Sequence, residues 1–157
     1  MVMTQAEFDR LEAQWKSGGA VAAVADLVSQ LKEQQQYHEL FEALKMQVRI
    51  GLGLSPMPSG EAEELDDSHR DQLEDGLIAA CREVGLLLIE AGQLREGWMY
   101  LRPVGDKQLV KAALAKITLN DENRDEFVEV ALHEGLDPQR GFAEVLGYYG
   151  TCNAITT

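Results

Sequence analysis

The sequence predicts an all-α fold of about seven to eight helices packed as antiparallel hairpins, and three observations carry that expectation. Apolar residues recur at three-, four- and seven-residue steps, most regularly between Gly76 and Leu101. Glycines and prolines fall mostly between those stretches, where helices have to stop. Alternation with a period of two never persists for more than a few residues, so no strand is expected.

The helices can be justified in chain order. Thr4 and Glu7 stand at the spacing of a capping box, which opens a first helix with Phe8, Leu11 and Trp15 as its apolar face. Ser17, Gly18 and Gly19 end it. A second helix runs from about Ala20 to Gln34. It places Val21, Val24, Val28 and Leu31 on one face and Ala20, Ala23 and Leu27 on the next. The polar turn Gln34–Gln36 leads to a third helix with Tyr37, Leu40, Phe41, Leu44 and Val48 as its buried stripe.

Gly51 to Gly60 holds three glycines and two prolines and is a loop. Glu61, Glu63, Glu64, Asp66 and Asp67 follow without a base, so residues 51–67 read as a flexible acidic loop. It is either a solvated loop running into a negative first helical turn, which the helix dipole favours, or a docking strip for a basic peptide or divalent cation. Ser68 with Asp71 resembles the cap of the helix that follows.

That helix is the most apolar. Leu73, Leu77, Val84, Leu88 and Ala91 form one stripe, with Ala80 and Cys81 filling its gap, and Ile78, Gly85 and Ile89 form a second beside it. Gly92 can adopt the left-handed conformation that ends a helix. Leu94, Trp98 and Leu101 line the return helix, and Gly97 among them leaves room for two backbones to approach. Arg102–Gly105 is a break, and Asp106 caps a helix that turns Leu109, Val110, Ala113, Leu114 and Ile117 inward. Asn120 or Asp121 caps the next, which packs through Phe127, Val130, Ala131 and Leu132 and stops at Gly135. Asp137-Pro138 is a cap followed by proline at the first helical position, with Phe142, Val145, Leu146 and Tyr149 as the last stripe. The tail, residues 151–157, carries no stop signal and reads as truncated, so the whole, residues 1–157, is expected to be one helical-repeat domain at the start of a longer protein.

The hairpin Gly76–Leu101 resembles a tetratricopeptide-type repeat. Cys81, Val84, Gly85 and Leu88 fall at the spacings of that family's first helix, and Gly97 and Leu101 at those of its second. Val24, Leu27, Val28, Leu31 and Leu44 match more weakly, while Leu40 stands where a small residue is expected. Pro56 and Pro103 are displaced from the closing position, and the step from Leu31 to Leu88 is longer than the roughly 34 residues of the family. The resemblance implies a right-handed α–α superhelix. It also implies a non-enzymatic role in holding a protein or peptide, in a groove lined by the inner helices. Candidate contacts are Arg82, Glu83, Glu90, Tyr100 and Lys111.

Net charge is −13 over 157 residues, which argues against nucleic acid and anionic membrane as partners and favours neutral or basic ones. The densest apolar run, Val84 to Ile89, is too short for a bilayer, which needs about 20 residues. Cys81 and Cys152 make no disulfide framework and are expected to be reduced thiols in a cytoplasmic protein.

His38, His69 and His133 are dispersed, with no pair at helical metal-ligand spacing, and no cofactor motif is present. His69 beside Asp66, Asp67 and Asp71 is either part of a solvated acidic turn or a weak cation site. Trp98, Met99 and Tyr100 are consecutive, so Met99 or Tyr100 points away from the core and either lines a groove or is covered by a neighbouring hairpin. Two other classes remain open. One is an enzyme or regulatory subunit with a site at Cys152 or His69; the other is a self-associating scaffold.

Overall fold

The computed structural model describes residues 4–58 and 65–150. The regular structure among the described residues is all helical, with no strand. The order is α1 (Gln5–Glu33), α2 (Tyr37–Gly51), α3 (Asp67–Glu90), α4 (Leu94–Leu101), α5 (Lys107–Leu114), α6 (Arg124–Val128) and α7 (Pro138–Glu144). Two of these run on into single π-helical turns, α6 through Glu129–His133 and α7 through Val145–Tyr149. The chain forms two compact units, residues 1–80 and 81–157, with the boundary inside α3.

In the first unit α1 opens on the expected capping box. Thr4 Oγ1 accepts from the Glu7 N–H at 3.3 Å, and Glu7 Oε2 accepts from the Thr4 N–H at 2.7 Å. The helix is broken at Gly19, whose φ of 67° and ψ of −159° are non-helical and suit a residue without a Cβ. The chain doubles back there. Gln34 Nε2 donates to Glu7 Oε1 at 2.6 Å across 27 residues, and Arg10 pairs with Asp26. A straight helix would hold Glu7 and Gln34 about 40 Å apart. The second half of α1 packs on α2 and buries Val24 and Leu31, while α2 buries Leu40, Ala43 and Leu44.

The expected apolar face of the first helix is corrected here. Phe8 is 55% and Trp15 58% exposed, and Leu11 is half-buried. After the reversal it is the Val24–Leu31 face of the second half that packs on α2, and the seven-residue line of Phe8 and Trp15 is left facing outward. Val21 is also exposed rather than part of the packed face.

Three helix ends share one geometry, in which the residue after the cap is left-handed and its N–H and the next bond back to the last turn. At Gly92 (φ 83°) the bonds run from Gly92 N to Ile89 O and from Gln93 N to Leu88 O, both 2.9 Å. Gly53 ends α2 in the same way. Gln35 (φ 56°) ends α1 so, although it carries a side chain.

In the second unit the C-terminal part of α3 crosses α4 where both carry glycine. A Cβ built on Gly85 would lie 3.0 Å from Gly97 O, and one on Gly97 would lie 2.9 Å from Gly85 O. The core next to this crossing holds Ile89, Leu94, Leu101, Val110, Leu114, Phe127 and Val130, with Trp98 and Leu109 packed against it.

Caps come partly from the expected residues. Asp106 accepts from the Leu109 N–H at 2.9 Å. Asn120 and Asn123 cap each other, each amide oxygen accepting the other's backbone N–H at 2.9 and 3.0 Å, so α6 starts after Asn123. Other caps come from distant residues. Glu126 of α6 accepts from the Arg95 N–H at 3.1 Å at the start of α4, where Gln93 makes no side-chain cap bond. Arg140 of α7 donates to Leu114 O at 2.7 Å and Ile117 O at 3.1 Å, closing the end of α5 while its guanidinium lies 4.5 Å over the Phe127 ring. Asp137 precedes Pro138 as expected but makes no cap bond, because its carboxylate pairs with Lys111 at 3.3 Å.

The last stripe is also corrected. Val145 is 3% exposed, but Phe142 is 45% and Leu146 43% exposed, and Tyr149 is on the surface. The π-helical turn from Val145 widens the spacing of the residues after it, Leu146 and Tyr149, while Phe142 lies ahead of that turn on the exposed side of α7. Tyr148 and Tyr149 reach back to α6 and the turn before it, donating to Asp121 and Asp125. The Arg124 guanidinium lies 3.9 Å over the Tyr148 ring.

Candidate functional site

A groove of about 540 Å³ opens within the first unit, between α2, the loop after it and the start of α3. α2 contributes Glu42, Lys45, Met46 and Arg49, which at i, i+3, i+4 and i+7 share one helical face about 10 Å long. α3 contributes Leu73 and Leu77, four residues apart, and the loop contributes Pro56, Met57 and Pro58. The lining is apolar along the floor and charged along the α2 rim. Its size lies in the range of about 300–1,000 Å³ typical of ligand pockets, and its two methionines can repack around differently shaped side chains.

Local chemistry holds the walls in place. Gly53 ends α2 with backbone hydrogen bonds to its last turn. Arg49, itself buried, donates from Nε to Ser55 O at 2.6 Å and fastens the loop to the helix. Lys45 pairs with Glu42 at 2.7 Å and lies 5.0 Å over the Phe41 ring. α3 comes close to α2 at Gly76, where a Cβ would run into the Val48 side chain.

The start of α3 differs from expectation in its cap. The His69 N–H donates to Asp66 Oδ1 at 2.8 Å, so Asp66 rather than Ser68 is the capping residue, and Ser68 lies inside the first turn accepting from Gln72. That backbone hydrogen bond, with the His69 ring 2.8 Å away, holds the Asp66 carboxyl below its usual pKa. His69 therefore meets a titratable partner, in an exposed local contact of the helix cap. No group of three or more His, Cys, Asp or Glu side chains among the described residues is arranged to hold a metal ion. Cys152, residues 59–64 of the acidic loop and the tail 151–157 lie outside the described residues.

The residues singled out from the repeat pattern are in the second unit. Arg82 and Glu90 are exposed on α3, and Glu83 shares a face with Glu90 seven residues on. Tyr100 is half-buried on α4, and Met99 beside it is exposed. Lys111 on α5 is engaged with Asp137. The α2 stripe through Tyr37, Leu40, Phe41, Leu44 and Val48 leaves the groove residues Glu42, Lys45, Met46 and Arg49 on its far side, so periodicity alone does not mark them. The available signal was a second apolar position, Met46, between two bases at helical spacing.

No described helix is long and apolar enough to cross a membrane. Compared with known proteins, the chain matches no family model, no curated protein and no solved structure.

Proposed function

We propose that this protein is a non-enzymatic helical-repeat module that holds a protein or peptide. Its helices would stack as antiparallel hairpins in a right-handed α–α superhelix. The observation that carries the binding role is the groove walled by Met46, Met57, Leu73 and Leu77, an apolar trough between two helices with charged residues on its edge. Grooves of that form take peptides that present apolar anchors at helical spacing. The stacking part of the reading is supported by the reversal at Gly19 and by the close backbone crossing of Gly85 and Gly97.

Selection of a displayed random-peptide library on the whole chain tests the binding role. The expected result is a set of peptides sharing an apolar spacing, whose binding is lost in Met57→Glu and kept in Arg82→Ala. Binding lost in Arg82→Ala or Tyr100→Ala and kept in Met57→Glu would move the site to the α3–α4 surface. No enrichment over an unrelated helical protein would end the proposal.

A further inference from the structure

We infer that the outward face of the first half of α1 is where two copies of this chain pair, antiparallel about a two-fold axis, an assignment separate from the peptide-binding reading above. The half-helix before Gly19 has two unlike sides. Its half-buried residues are Glu7, Leu11 and Gln14, at i, i+4 and i+7, and this mostly polar side is tied to the second half of α1 through Glu7 and Gln34. Its outer side carries Phe8 and Trp15, each more than half exposed and about 10 Å apart along the helix. A helix of this length is marginal in water unless it buries an apolar face, and here the large apolar residues point away from the rest of the unit.

The charge order along this face fits a second copy. The open flank beside Phe8 and Trp15 holds Asp9, Glu12 and Lys16, all exposed, while the opposite flank is taken by the second half of α1. Two copies can therefore meet only by presenting the same flank to each other, which antiparallel helices related by a two-fold axis do. Trp15 then seats among Phe8, Leu11 and Glu12 of the second copy, at the i, i+3 and i+4 positions that bound a hole on a helix surface. Asp9 and Lys16 stand seven residues apart on that flank, so the same register brings each Lys16 within about 3 Å of the level of the other copy's Asp9. An acid and a base at the two ends of one face complement their own reversed copy, and the pair forms twice. Residues 4–19 hold Glu7, Asp9 and Glu12 against Arg10 and Lys16, so little of the chain's net charge of −13 repels a second copy at this face. Glu12 opposes the pairing, because it comes nearest the axis in both copies, each held by its own Lys16 at 2.7 Å. The face is also small beside the roughly 800 Å² per partner of a stable interface, so the dimer is weak and depends on concentration.

Sedimentation equilibrium of the whole chain, from about 5 to 500 μM, tests the pairing. The expected result is a monomer–dimer equilibrium, with tryptophan emission moving to shorter wavelength as the dimer fills and Trp15 leaves water. Trp15→Lys should abolish the dimer, and Glu12→Gln should tighten it. Asp9→Lys and Lys16→Asp should each weaken it about three- to tenfold, since every change counts twice by symmetry, and the two reversals together should restore it. All of these side chains are exposed, so the variants are expected to fold as the parent chain does. Met57→Glu, which probes the peptide groove, should leave the dimer unchanged. A monomer at every concentration, a dimer indifferent to Trp15→Lys, or two charge reversals whose losses add instead of cancelling would overturn the inference.

Discussion

Gly85 and Gly97 face each other so closely that the missing Cβ of each would sit within 3.0 Å of the other's carbonyl oxygen. Real Cβ atoms do not approach backbone at that distance, so the α3–α4 crossing requires both glycines. Gly97→Ala, which also meets the Ile89 side chain, is expected to destabilise the protein by about 1–3 kcal/mol, and Gly85→Ala, which meets Leu101, by a similar amount. Urea denaturation measures both. Gly147→Ala is the control, since it has open space and is expected to be neutral or stabilising by about 0.5–1 kcal/mol.

Gln35 ends α1 in a left-handed conformation that costs a residue with a Cβ about 1–2 kcal/mol. Gln35→Gly is therefore expected to stabilise the protein by about 1 kcal/mol, net of the entropy glycine adds to the unfolded chain. An unchanged or lower denaturation midpoint would show that the Gln35 side chain makes up the difference.

Arg140 holds two carbonyls at the end of α5 and covers Phe127. Arg140→Ala leaves those carbonyls without their donors and should cost about 2–3 kcal/mol. Arg140→Lys keeps the charge but loses the planar fork, so it is expected to recover less than half of that loss. Full rescue by lysine would mean that charge alone closes α5.

Among the described residues, three carboxylates are held below their ordinary pKa values. Glu7 accepts from the Thr4 N–H first, then from its hydroxyl and Gln34; Asp66 accepts from the His69 N–H; Glu129 accepts from the Arg95 guanidinium. A folded pKa lowered in this way stabilises the native state above the ordinary values of 4.5 and 3.8 and loses that contribution as pH falls through the folded value. The denaturation midpoint is expected to be flat near neutrality and to drop below about pH 4.5, less steeply in Glu129→Gln. At the alkaline end Tyr149 titrates above its ordinary 10.0, chiefly because it donates to Asp125. Tyr149→Phe should remove a loss of stability that begins above that pH.

Local signals were readable in the sequence and distant ones were not. The Thr4–Glu7 box, the Asp106 cap and the Gly92 stop each depend on residues within a few positions, so their residue types announce them. Phe8 and Trp15 have helical spacing in common with core residues, and spacing cannot say which face a partner helix will cover. In the last stripe Phe142 failed as Phe8 did, and Leu146 and Tyr149 failed for a different reason, because the π-helical turn from Val145 shifts every later side chain. Arg140 and Glu126 cap helices 23 or more residues away, and no local pattern marks them. The groove is of that kind too. Leu73 and Leu77 read as core stripe, and only the fold places them opposite Met46 and beside Pro56.

For the peptide-binding role proposed above, the tie from Arg49 to the Ser55 carbonyl has a kinetic consequence. A binding wall made by a slack loop must be captured and ordered at each encounter, which slows association and spends affinity on immobilising it. Here the segment carrying Pro56 and Met57 is moored to α2 before any visitor arrives. A peptide of the proposed kind would find its seat already shaped, and the pace of docking would be set by collision and orientation.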